Sequence, residues 1–279
     1  MESRLSRVRL SAVICVHDEE VRLDGCLHRL QFADEIIVVL DRCRDRSEEI
    51  ARRYAHTIVK GAFPQEGPRK AAGMAAATGD WVLEVDADEQ ITPALAGEIR
   101  ARIDADSTAT HFQVPIDNYV GQRLVRYGWG GSFGTSSVAR LFRRGSKQWG
   151  DERIHPTVRF EGERGPSLTQ PIRHEVDADI SDMIQRLDRY SHQRALDLVD
   201  QNRVGGVAEN AFRGFRRFLK CYISRKGYRE GGWGVLIAVM AGLYPLLSTL
   251  RARLEVRQAQ AAAAAEPPTA FTPRIVAGE

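Results

Sequence analysis

Trp81-Val82-Leu83-Glu84-Val85-Asp86-Ala87-Asp88-Glu89 is the stretch whose reading decides the fold. It predicts a strand, Trp81 to Asp86, that ends in two carboxylates one residue apart. Side chains alternate along a strand, so Asp86 and Asp88 are expected on the same side of its C-terminal end. Two acidic groups held there repel each other unless a cation or a ring of donors lies between them. Mg²⁺ or Mn²⁺ takes such oxygen ligands and shares its remaining positions with phosphate oxygens. An isolated Asp-x-Asp also suits a solvated acidic turn. A calcium loop is excluded, because Ile91 stands where the sharp turn needs glycine and Gly97 where the bidentate Glu belongs.

Upstream, the chain alternates between apolar runs and helical patterns. Val8 to Val16 reads as a buried strand, and His17-Asp18-Glu19-Glu20 after it as an acidic helix start running to about Leu30. Glu35 to Asp41 is a second strand that ends in a carboxylate. Asp45-Arg46-Ser47-Glu48-Glu49 opens a helix reaching about His56, and Thr57 to Lys60 is a short third strand. Pro68 is expected at the start of an alanine-rich helix that closes at Gly79. This order predicts an α/β fold with a mostly parallel, doubly wound sheet flanked by helices. Ligands in such sheets bind beyond the carboxyl ends of the strands. Acidic residues follow three strands there, namely Asp18 and Glu20, Asp41, and Asp86 and Asp88. No glycine-rich dinucleotide or Walker pattern follows the first strand, so nicotinamide redox chemistry and P-loop hydrolysis lose their basis.

Composition sets broader limits. The 279 residues suffice for one or two domains, with 43% hydrophobic and 28% charged residues. A net charge of +3 does not by itself indicate a nucleic-acid partner. Cys15, Cys26, Cys43 and Cys221 form no Cys-x-x-Cys pair, which argues against a zinc site or a disulfide framework. Met1 to Arg7 lacks the apolar core of a secretion signal, so the first domain is expected in the cytosol.

The ordered set Cys15-Val16-His17-Asp18-Glu19-Glu20, Phe32 to Asp41, the Gly67–Gly79 helix and Glu84 to Glu89 resembles family 2 glycosyltransferases of the GT-A (Rossmann-like) fold. The similarity is greatest to the bacterial lipopolysaccharide core branch. It continues through Leu141-Phe142-Arg143-Arg144-Gly145 and Trp149 to Leu187-Asp188-Arg189-Tyr190, about residues 8 to 250. The resemblance implies inverting transfer of a sugar from a nucleotide diphosphate donor, a UDP-sugar, to a lipid-linked or lipopolysaccharide-core saccharide. Asp41 would hold the nucleobase, Val16 and Glu20 would line the nucleotide pocket, and Asp86 and Asp88 would hold Mg²⁺ or Mn²⁺ and the sugar nucleotide. Lys70-Ala71 stands where the family often has Arg-Asn, which leaves Lys70 or Arg69 as the base or phosphate contact. His174 is a further candidate metal ligand or diphosphate contact. A polyprenyl phosphate or protein acceptor, and a sugar-nucleotide-binding protein without turnover, are the alternatives.

Departure of a nucleoside diphosphate is eased by a metal on its phosphates, and the acceptor hydroxyl needs one general base on the far side of the sugar. Direct displacement with one base inverts the anomeric carbon. Trp149-Gly150-Asp151-Glu152-Arg153-Ile154-His155-Pro156 offers Asp151 first and Glu152 next, although a solvated loop paired with Arg153 would look the same.

The C-terminal third is helical by periodicity. Asp179 to about Gln201 and Asn210 to Lys226 both read as helices, the second basic and amphipathic. Gly231 to Leu250 carries no charged residue and as a helix would run about 30 Å, the thickness of a bilayer core. Arg229, Arg251 and Arg253 flank it on both sides, so an in-plane or re-entrant membrane helix is favoured over a full span or a buried soluble helix. The expected organisation is a glycosyltransferase domain over 1–178 (donor half about 8–105, acceptor half about 106–178), helices over 179–256, and a disordered tail over 257–279. The enzyme would work at the cytoplasmic face of the inner membrane, without nucleic acid.

Overall fold

The computed structural model describes residues 7–105, 108–130, 134–150 and 157–265. The apolar runs form β1 (Leu10–Val16), β2 (Glu35–Asp41), β3 (Thr57–Gly61) and β4 (Trp81–Asp86), joined by α1 (Leu23–His28), α2 (Ser47–Tyr54) and α3 (Glu66–Ala76). All four strands are parallel, in the order β3-β2-β1-β4. Alternation along them fills both faces. Leu10, Ala12, Ile14 and Val16 of β1 pack with Leu23 and Leu27 of α1, Ile50 of α2, and Leu95 and Ile99 of α4 (Pro93–Asp104). Val13, Ile37 and Val82 point the other way and pack with Met74 of α3. This double cover explains the continuous apolar runs. Gly73 brings α3 close to the sheet, since a Cβ there would lie 2.6 Å from Val13 Cγ1.

The second half adds β5 (Glu89–Gln90), β6 (Ala109–Val120), β7 (Arg123–Val125), β8 (Ser137–Arg143), β9 (Lys147–Trp149), β10 (Val158–Phe160), β11 (Glu163–Arg164) and β12 (Ile172–Asp177). Strand β8 lies antiparallel between β4 and β6, β12 runs parallel to β6, and β5 pairs antiparallel with β12. The sheet is therefore parallel through β1–β4 and mixed beyond it. Then follow α5 (Ile180–Asp200), capped by the Asp179 carboxylate on Asp182 N at 2.9 Å, α6 (Val207–Leu219), α7 (Gly232–Arg251) and α8 (Arg257–Ala265).

Three boundaries differ from the sequence reading. Helix α1 begins only at Leu23, because the acids before it serve a loop: Asp18 Oδ1 accepts from Arg44 N at 2.6 Å and Glu20 Oε2 from Arg46 N at 3.0 Å. Helix α3 ends at Ala76 and not at Gly79, whose N–H donates to Ser11 Oγ at 2.9 Å. The stretch expected to be disordered from residue 257 starts as the nine-residue helix α8, which continues from α7 on an alanine run of high helix propensity.

At the opposite end of the sheet from the carboxylates, buried Glu35 accepts from Ser11 Oγ at 2.6 Å, Thr78 N at 2.9 Å and Thr78 Oγ1 at 3.1 Å. Burial opposes its ionisation, but these donors hold its pKa below the ordinary 4.5. A lowered folded pKa means the stabilisation is full above the unfolded value and disappears as pH falls through the folded one. Glu35→Gln is expected to cost about 1.5–3 kcal/mol near neutrality. Denaturant titrations should show the gap to wild type narrowing once pH drops below 4.5.

Candidate active site

The odd-numbered positions of β2 and the even-numbered ones of β4 face α3, so Asp41, Glu84 and Asp86 share that side of the sheet. Helix α3 meets them with adjacent cations. Arg69 Nη1 lies 3.6 Å from Asp41 Oδ2, while Lys70 Nζ lies 2.6 Å from Glu84 Oε1, 3.0 Å from Glu66 Oε1 and 3.8 Å from Asp86 Oδ1. Asp41 is buried and also accepts from Arg42 Nε at 2.8 Å and Phe63 N at 3.1 Å. Burial raises its pKa, but these donors outweigh it and hold the carboxyl below the usual range.

Glu84 is the hub. It takes Lys70 from α3, Arg140 Nη1 from β8 at 2.9 Å, and the Lys147 ammonium from β9. Burial would raise its pKa, but the three cations bring it down to about 2. Arg140 Nη2 also donates to Asp86 and, at 2.6 Å, to Glu89 Oε1. Glu89 Oε2 in turn accepts from Asp86 N at 3.0 Å. Lys147 sits among the rings of Phe142 (4.8 Å), Trp149 (4.9 Å) and Phe160 (5.7 Å).

Asp86 and Asp88 do not extend one strand. β4 ends at Asp86, and Ala87-Asp88 form a turn that leads into β5. The turn is clipped to β12 by Glu175 N donating to Asp88 O at 3.0 Å. His174 Nε2 lies 3.4 Å from Asp88 Oδ2, and its Nδ1 lies 2.8 Å from Asn118 Oδ1 on β6. Burial opposes protonation of His174, but Asp88 more than compensates, and its pKa is raised. Glu19 is pushed up to about 7 by burial first and then by Asp88.

Residues 11–159 match the family described as Glycosyl transferase family 2, more than half of the chain. The chain belongs to this glycosyltransferase family. It is 24% identical over 260 residues to the lipopolysaccharide core biosynthesis glycosyltransferase LpsC of Rhizobium meliloti, covering 88% of this chain and 93% of that protein. An uncharacterized glycosyltransferase of Rickettsia typhi is 24% identical over 246 residues, covering 83% and 82%. Among solved structures, S. aureus TarS 1-349 aligns with a TM-score of 0.46 at 13% identity, over 67% of this chain and 65% of that one. Glucosyl-3-phosphoglycerate synthase from Mycobacterium tuberculosis, in complex with Mn²⁺, UDP and glucosyl-3-phosphoglycerate, aligns at 0.35 and 18%, over 40% and 44%. Family membership makes the protein a glycosyltransferase that transfers from a nucleotide sugar, and its mixed α/β sheet has the GT-A form.

Of the residues singled out in the sequence, the structure brings Asp41, Lys70 and Asp86 to one face, and Asp88 and His174 to one turn. Val16 is buried at the end of β1, its carbonyl 3.5 Å from Cys43 Sγ, and Glu20 binds the β2–α2 loop. Asp151 and Glu152 lie outside the described residues. Gly150 and Thr157 on either side of them are joined by a 2.7 Å backbone hydrogen bond, and Gly150 O approaches Gly67 in the first turn of α3. Arg140, Lys147, Glu89 and Asn118 escaped sequence reasoning. For Arg140 the signal was a cation inside the apolar run Val138-Ala139-Arg140-Leu141-Phe142.

Arg140→Met leaves Glu84, Asp86 and Glu89 without their shared cation, and a stability loss of about 3–5 kcal/mol is expected for breaking so buried a pair. Denaturant unfolding measures it, and a loss below about 1 kcal/mol would place the network in the range of surface ion pairs.

Proposed function

We propose that the protein catalyses inverting, Mg²⁺- or Mn²⁺-dependent transfer from a UDP-sugar to a lipid-linked or lipopolysaccharide-core saccharide. The observation that carries the metal is the Asp88–His174 contact at 3.4 Å beside Asp86. Asp88 and His174 offer a divalent ion one oxygen and one nitrogen ligand, while the Asp86 carboxylate is held by Arg140 and Lys70. Asn118 orients the imidazole through Nδ1 and leaves Nε2 directed at Asp88, the outer support that metal-binding histidines have. Asp88 is the largest charge raising the pKa of Glu19 after burial, and a cation at the turn would oppose that effect. When bound, the ion supplies charge neutralisation to the departing diphosphate.

The chain's own residues do the rest in this reading. Asp41 accepts from the nucleobase, with Val16 and Glu20 lining the nucleotide side. Arg69 and Lys70 present positive charge along α3 between Asp41 and Asp86, the interval a nucleoside diphosphate would cross. Arg140 holds the Asp86 carboxylate in place. Asp151, or Glu152 after it, accepts the acceptor's proton, a position supported by the flanking Gly150 lying against α3. A single displacement with one base yields inversion.

The acceptor class follows from LpsC by name and from the C-terminal helices. The helix Gly232–Ala262 is, among the described residues, the one long and apolar enough to cross a bilayer. One side of it is core, with Ile237, Met240, Ala241 and Tyr244 packed on Trp129, Val176 and Met183. The other leaves Val235, Val239 and Leu243 exposed four residues apart. That pattern supports a helix lying in the membrane surface over one spanning it, with the enzyme on the cytoplasmic face.

Isothermal titration with UDP tests the metal. Mn²⁺ is expected to tighten UDP binding in wild type and to have no effect in Asp88→Asn, while Asn118→Ala should weaken Mn²⁺ by about 10–100-fold. Equal Mn²⁺ enhancement in wild type and Asp88→Asn would remove Asp88 from the metal site.

A further inference from the structure

A groove of about 760 Å³ runs between α5, α6 and α7. Its floor is apolar, formed by Leu219, Tyr244 and Pro245, and its rim carries Arg216, Arg217 and Lys220. Two further cations of the rim are answered: Arg213 pairs with Glu209 at 2.6 Å and Arg194 with Asp197 at 3.9 Å. Among the described residues, no carboxylate lies within ion-pair distance of Arg216, Arg217 or Lys220. Arg217 instead rests with its guanidinium 5.2 Å from the Tyr244 ring. Burial lowers the pKa of this half-buried cation.

The surroundings say what kind of anion belongs there. Helices α6 and α7 are in tight contact, since a Cβ on Gly214 would lie 2.3 Å from Gly242 O, and the segment between them closes on α7, where a Cβ on Gly234 would lie 1.8 Å from Gly227 O. Ile223 in the groove's lining is 58% exposed, α6 exposes Phe212 (62%) and Phe215 (58%), and α7 exposes Val235, Val239 and Leu243. A groove walled by helices offers no free backbone edge to an acidic peptide. Planar guanidinium forks beside an apolar floor match a phosphate attached to hydrocarbon.

We propose that this groove binds the phosphate headgroup of a membrane amphiphile, with its chain lying against the exposed apolar residues of α6 and α7. The proposal rests on the membrane-surface reading of these helices and gives it an address. It makes lipid attachment selective for anionic phosphate, where an apolar stripe alone would not discriminate.

Flotation of the full-length protein with vesicles tests it, using phosphatidylcholine alone and phosphatidylcholine mixed with phosphatidylglycerol. Arg216→Gln combined with Lys220→Gln changes two exposed side chains, and a thermal melt matching wild type confirms the fold. Wild type is expected to prefer the anionic vesicles, and this variant to lose roughly 30-fold in affinity for them at about a tenfold per 1.4 kcal/mol. The same two charges removed elsewhere, Arg52→Gln with Arg53→Gln on α2, should leave that affinity unchanged. An equal loss in both variants means diffuse electrostatics and overturns the groove. Equal binding to both vesicle types, unchanged by any substitution, also overturns it while the membrane reading stands. Failure of wild type to float on either vesicle overturns both. Full competition by inorganic phosphate marks a free-anion site and overturns the lipid assignment.

Discussion

A carboxylate buried at the centre of a sheet constrains everything around it. Glu84 lies in β4, between β1 and β8, where water cannot reach it, and an isolated charge there would cost far more than the fold's net stability. It is tolerated because α3, β8 and β9 each deliver a cation to it. Helix α3 and the consecutive strands β8 and β9 lie some sixty residues apart in the chain, so the charge requirement of one residue helps fix the docking of α3 and of two strands. Such networks give position more dependably than they give stability. Here the position gained is that of Asp86, one turn of the pleat beyond Glu84 and bound to the same Arg140.

The two acids of the Asp-x-Asp stretch consequently have separate surroundings. Asp86 belongs to the cationic network on the α3 side, and its carboxyl is held far below the usual range: burial opposes this, and Arg140 and Lys70 overcome it. Asp88 leaves the strand through Ala87 and meets β12, where His174 and Asn118 lie at matched register positions of two parallel strands. Asp86 is bound by Arg140 and approached by Lys70, and Asp88 faces His174.

Much of this was legible in the chain. Continuous apolar runs and the repeated strand–helix order specify β1 to β4, and a carboxylate at the end of an apolar run marks Asp41 and Asp86. What stayed hidden depends on pairing across long sequence separations. Arg140 reaches Asp86 because β8 inserts antiparallel beside β4, and His174 reaches Asp88 because β12 clips the turn. No local pattern encodes either registration. The short α1 was hidden for a related reason: Asp18 and Glu20 look like a helix start, but they satisfy backbone N–H groups of the β2–α2 loop. The one available hint was the pairing of opposite charges inside apolar runs, Glu84 in one and Arg140 in another, since neither charge can be buried alone.

The same accounting joins the two ends of the molecule. Strand β12 carries His174 and, three residues on, Asp177, which is buried and bound at both oxygens by Arg186 of α5 at 2.8 and 2.7 Å. Helix α5 then supplies Arg194 and Leu198 to the groove and packs along α7. A fork-to-fork ion pair out of water resists both sliding and rotation, because either motion would strand a charge. The turn that holds Asp88 and the helical surface assigned to the membrane are therefore parts of one stiff path. Seating the helices on a bilayer would set the height and tilt of the sheet's carboxyl end, so that a saccharide carried on a lipid meets the donor from a fixed direction.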